Sequence, residues 1–101
     1  MARARRQRTN RLRGFLVTWD VESRDASASA RLKRYVYGYS LSNDGKTYRY
    51  TGLVDREGVR YVGQSVLFLG RSEMEELTSF LRNLGFQYVV TEAELGPVRE
   101  L

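Results

Sequence analysis

From Gly14 onward, apolar residues recur in short runs whose spacing shifts between strand and helix periods. Met1 to Arg13 holds only Met1 and Leu12 as large apolar side chains. That stretch has no face to bury, so residues 1–13 are expected to form a disordered arm and residues 14–101 a single domain. The run Phe15-Leu16-Val17-Thr18-Trp19-Asp20-Val21 is β-branched and aromatic, too apolar for an exposed edge, and predicts a central strand over 15–21. Ser23, Asp25, Ser27 and Ser29 then supply helix-start residues. Ala28, Leu32, Tyr35, Val36 and Tyr39 fall at helical spacing, predicting a helix over 26–37 that ends at Gly38.

Ser42-Asn43-Asp44-Gly45 is a turn signal, because Asn, Asp and Gly tolerate positive φ. Two strand-like segments follow, 46–54 and 59–69, and Asp55-Arg56-Glu57-Gly58 between them suits a four-residue hairpin loop. Gly52 and Gly63 inside these segments mark bulges or a close approach by another backbone. Ser72-Glu73-Met74-Glu75 matches a capping box, and Met74, Leu77, Phe80, Leu81 and Leu84 give the apolar stripe of a second helix over 72–84, stopped by Gly85. Residues 86–91 read as a last strand, and Pro97 sits in a short C-terminal extension. Strand, helix, strand, strand, helix, strand predicts an α+β, ferredoxin-like βαββαβ fold: an antiparallel sheet with two helices on one face and the other face open. Many functions use that fold, so it licenses none by itself.

Charge separates the arm from the rest. The net charge is +5, yet the first thirteen residues carry six arginines (Arg3, Arg5, Arg6, Arg8, Arg11, Arg13) and no acid, leaving the remainder at −1. Such an arm suits several phosphate contacts and steeply salt-dependent binding to nucleic acid, DNA or RNA; the plainer alternative is a solubilising tail or a ribosomal or nuclear address. The chain has no cysteine and no histidine, which excludes disulfides, thiolate chemistry and the histidine-pair metal sites of relaxase-type enzymes. Any catalysis falls to carboxylates. No apolar run approaches the roughly 18 residues of a membrane span and the arm has no secretory-signal core, so no membrane partner and a cytoplasmic location are expected.

Two further features could carry chemistry. Tyr48, Tyr50 and Tyr61, placed on adjacent strands, would stack on unpaired bases if they face the open side of the sheet, or pack under the helices or in a dimer interface if register turns them inward. Asp20 closes an otherwise apolar strand. It is either a helix-start cap acting with Ser23 or a magnesium ligand helped by Glu22 and Asp25.

Val17-Thr18-Trp19-Asp20-Val21 and Gln64-Ser65-Val66-Leu67-Phe68, the latter followed by a helix and a last strand, resemble the small CRISPR-associated endonuclease that dimerises at the centre of the spacer-integration complex. The resemblance spans residues 15–91. In that family one residue separates the glutamine from the serine, and a glutamate usually follows the phenylalanine; here Gln64 and Ser65 are adjacent and Leu69 takes the glutamate's place. The tyrosine-rich segment and the basic arm are additional to the family pattern. The resemblance implies a homodimer and a magnesium-binding, catalytic role for Asp20. Three functions therefore stand as expectations: a cofactor-free nucleic-acid binder, a magnesium-dependent nuclease using metal-bound water, and a protein-interaction adaptor using the open face or an edge strand.

Overall fold

The computed structural model describes residues 12–20 and 25–96. In chain order these form β1 (Leu12–Trp19), α1 (Ala26–Tyr37), β2 (Tyr39–Asn43), β3 (Lys46–Tyr50), a 3-10 turn (Leu53–Asp55), β4 (Arg60–Gly63), β5 (Val66–Leu69), α2 (Arg71–Leu84) and β6 (Tyr88–Leu95). The architecture is α+β, with two helices and antiparallel strands throughout. Four strands make one sheet in the order β4-β5-β1-β6, and β2 and β3 form a separate two-stranded ribbon.

β1 is central, as its apolar run predicts, but it starts at Leu12. Leu12 and Arg13, expected in the disordered arm, pair with Leu95 and Glu94 of β6, and the Arg13 Nε lies 3.4 Å from a Glu94 carboxylate oxygen. On one sheet face Val17 and Trp19 of β1 and Leu67 and Leu69 of β5 pack with Ala28, Leu32 and Val36 of α1 and with Leu77 and Leu81 of α2, all buried. Both helices thus cover the same side. On the opposite side Leu16 pairs with Phe68 and Thr18 with Val66. Phe68 is only 2% exposed there, although neither described helix lies on that side. Its ring lies over Gly14, where a Cβ would come within 2.8 Å of the ring tip.

α1 begins and ends where its sequence pattern places it. The Asp25 carboxylate accepts from the Ser27 and Ala28 amides at 2.9 and 3.2 Å, and Gly38 turns the chain out with φ of +77°. The N-cap is therefore Asp25. Asp20 does not hold that place; it stands exposed just past β1, with its backbone N–H bonded to the Gln87 carbonyl. α2 starts at Arg71 with Gly70 as N-cap and no side-chain cap, so the Ser72 capping box does not form. Its end follows expectation: Gly85 is left-handed, and its N–H reaches the Leu81 and Arg82 carbonyls.

The expected hairpin between 46–54 and 59–69 is overturned. Asp44 and Gly45 both adopt positive φ, +52° and +77°, the geometry of a two-residue turn that folds strands tightly back. Lys46 to Tyr50 consequently pairs with Asn43 to Tyr39. Past Gly52 the chain makes the 3-10 turn that buries Leu53, with the Asp55 carboxylate accepting the Gly52 N–H at 2.7 Å. The second expected strand, 59–69, is itself a hairpin. It reverses at Gln64-Ser65, where Ser65 takes φ of +65°, and a bulge lies between Tyr61 and Gly63.

Candidate functional site

Charge is unevenly spread over the domain. Residues 26–52, comprising α1 and the ribbon, contain Arg31, Lys33, Arg34, Lys46 and Arg49 against the single acid Asp44. The rest of the domain is net acidic, so its excess of cations falls on α1 and the ribbon.

The ribbon has two unlike faces, because side chains alternate along each strand. One carries Tyr39, Leu41 and Asn43 opposite Tyr50, Tyr48 and Lys46. Tyr39 and Tyr50 stack with ring centres 4.8 Å apart and planes 17° from parallel. The Arg34 guanidinium sits 5.2 Å from the Tyr39 ring centre, placing a cation against a π-face. Leu41 and Tyr48, paired next along the ribbon, are each 49% exposed, and Tyr50 is 46% exposed. The other face is short and polar: Ser40 opposite Arg49, and Ser42 opposite Thr47, whose hydroxyl oxygens are 3.5 Å apart.

Arg49 fixes the ribbon to the body. Its guanidinium donates to the Tyr37 carbonyl at 3.0 Å, to the Tyr39 carbonyl at 3.2 Å and to the Tyr50 carbonyl, and lies 3.4 Å from an Asp55 oxygen. The ribbon's two ends cross where Gly38 meets Gly52; a Cβ on Gly52 would run into the Gly38 nitrogen and the Val36 carbonyl oxygen. At its foot lies a groove lined by Arg34, Tyr35, Tyr39, Tyr50, Leu53 and Arg56. One wall is braced by Glu76, which accepts from Arg56 through both carboxylate oxygens at 2.9 Å and from the Tyr35 hydroxyl at 2.6 Å. The Arg56 hydrogen bonds, then the Tyr35 bond, hold the Glu76 carboxyl below its ordinary range. Burial and the same carboxylate push the Tyr35 hydroxyl upward.

The residues expected to act together are divided by the fold. Tyr48 and Tyr50 share the ribbon's aromatic face, whereas Tyr61 lies on β4 of the other sheet. It faces the helix side, because it pairs with Leu67, and meets Tyr37 edge-on at 6.1 Å. The three tyrosines therefore do not line one open sheet; the side of the four-stranded sheet away from α1 and α2 is largely aliphatic among the described residues. Arg3, Arg5, Arg6, Arg8 and Arg11 lie outside the described residues, as do Glu22 and Ser23. Asp25, considered as a helper for a metal at Asp20, is occupied as the cap of α1. Among the described residues no group of three or more His, Cys, Asp or Glu could hold a metal ion, and no helix is long and apolar enough to cross a membrane.

Tyr39, Leu41, Arg34 and Lys46 complete the site and escaped the sequence reading. The signal for the ribbon residues is the alternation Tyr39-x-Leu41 and Lys46-x-Tyr48-x-Tyr50 on either side of Asp44-Gly45, which marks a two-residue hairpin; Arg34, on α1, carries no such signal. No protein-family model, curated protein or solved structure matches the chain.

Proposed function

We propose that the protein binds nucleic acid, with Arg3, Arg5, Arg6, Arg8 and Arg11 of the N-terminal arm contacting phosphates and the α1–ribbon end of the domain adding a second cationic surface. The observation that carries this reading is the exposed cations Arg31, Lys33, Arg34 and Lys46 on α1 and the ribbon, beside exposed tyrosines. Phosphate contacts release counterions, so affinity falls steeply with salt. The test is binding of labelled duplex DNA, single-stranded DNA and RNA to the full chain at two salt concentrations, beside a variant with those five arginines changed to serine. The variant is expected to bind more weakly with a shallower salt dependence, each lost duplex contact reducing the slope by roughly 0.9. Equal binding by both proteins rejects the arm's role. Magnesium-dependent cutting that is lost in Asp20→Asn would favour the nuclease.

The strand order β4-β5-β1-β6, with both helices on one side, supports a ferredoxin-like reading in which the ribbon is inserted between α1 and β4. A second functional reading, self-association through the side of that sheet away from α1 and α2, is favoured by its makeup. Leu12, Leu16, Val66, Val89 and Leu95 share that face with Phe68, and Arg60 is the one charged residue among its paired strand positions. A second copy would meet a matching flat apolar surface without a field of like charge. Sedimentation should then show a dimer that Leu16→Asp converts to monomer; a monomeric parent protein rejects this reading.

A further inference from the structure

We infer that the ribbon's aromatic face is a stacking platform for unpaired bases, so that the protein prefers single strands to duplex. This rests on the reading of the protein as a nucleic-acid binder and names the form of nucleic acid. A two-stranded ribbon is also the right width for the major groove of duplex DNA. Reading base edges there calls for long hydrogen-bonding side chains reaching outward. The polar face offers Ser40, Ser42 and Thr47, which are short, and Arg49, whose guanidinium is turned onto backbone carbonyls.

The other face has what π-surfaces of splayed bases need. Tyr48 and Tyr50 are two residues apart on one strand, hence about 7 Å apart along one side of the ribbon. Each is about half exposed. Leu41 sits beside Tyr48, and Arg34 closes the far end of the Tyr39–Tyr50 stack. Lys46, on the same face at the ribbon tip, puts a cation where a backbone phosphate following the stacked bases would pass. A protein partner would find the same aromatic surface, but the paired residues of this face include Lys46 and no acid, and Arg34 lies against Tyr39, which matches a polyanion.

The experiment uses the full chain and a set of 20-nucleotide probes: single-stranded DNA, single-stranded RNA and the matched DNA duplex, each titrated at two salt concentrations. Tyr48→Ala, Tyr48→Phe and the unaltered protein are compared, with circular dichroism confirming that each is folded. Tighter binding of single strands, an affinity loss of about five-fold or more in Tyr48→Ala with retention in Tyr48→Phe, and an unchanged salt slope are expected. The two single-stranded probes separate DNA from RNA as the source of the bases. Duplex bound as tightly as single strands, or full affinity in Tyr48→Ala, overturns the platform while leaving nucleic-acid binding standing. Absence of binding to every probe overturns both.

Discussion

Arg56 grips Glu76 with both terminal nitrogens, each 2.9 Å from a carboxylate oxygen, and so ties the loop after the ribbon to the middle of α2. Tyr35 of α1 joins them through its hydroxyl while its ring stacks on Phe80 at 4.2 Å. Three separate parts of the chain thus meet at one carboxylate.

Glu76→Gln tests that junction. Because the folded-state pKa of Glu76 is depressed, its contribution is whole above the ordinary carboxylate value near 4.3 and is lost as pH falls from there through the folded value. Both partners are about half exposed, so the loss at neutral pH is expected to be about 1 kcal/mol or less. Urea unfolding at pH 7 and pH 3 should show the variant less stable at the first and the gap narrowed at the second.

Arg49→Ala should loosen the ribbon ahead of the body. It removes the charged donor shared by the Tyr37, Tyr39 and Tyr50 carbonyls, and bonds from a charged donor contribute about 1.5 to 3 kcal/mol. Hydrogen exchange should accelerate at β2 and β3 amides and stay slow at β1 and β5.

Gly52→Ala and Gly63→Ala form a matched pair. A methyl at Gly52 collides with the backbone of Val36 and Gly38, which cannot move aside without shifting the end of α1; a loss of about 3 kcal/mol or more is expected. At Gly63 a methyl meets open space, and thermal unfolding should change by less than about 0.5 kcal/mol.

The helix starts can be told apart in the same way. Asp25→Ala should cost about 1 kcal/mol, the usual contribution of an N-cap. Ser72→Ala should cost under about 0.5 kcal/mol, because no side chain caps α2. Comparable losses in the two variants would reject the assignment of Gly70 as the cap.

The helices were legible because their apolar residues repeat over three turns or more and because Gly38 and Gly85 stop them through backbone geometry that few residues share. β1 was legible from its density of large apolar side chains. The ribbon was hidden by a competition between turns. Asp55 to Gly58 has the composition of a hairpin loop, but Asp44-Gly45 supplies the tighter reversal, and Tyr39 also fits the helical spacing of α1. The turn at Ser65 left almost no trace, since a serine at positive φ is uncommon. Charge misled by averaging: a domain total near −1 concealed an excess of cations on α1 and the ribbon and an acidic remainder. Asp20 and Asp25 are both acids before a helix, and only the count of residues to the first turn distinguishes the cap.

The crossing of Gly38 and Gly52 means that the chain departs from the body and returns to it at nearly one point. What lies between is a graft with a single attachment, and the body's own path is almost closed without it. Sequence beyond Arg49, out to the Asp44-Gly45 tip, can therefore be lengthened, shortened or exchanged with little disturbance to the helices and the four-stranded sheet.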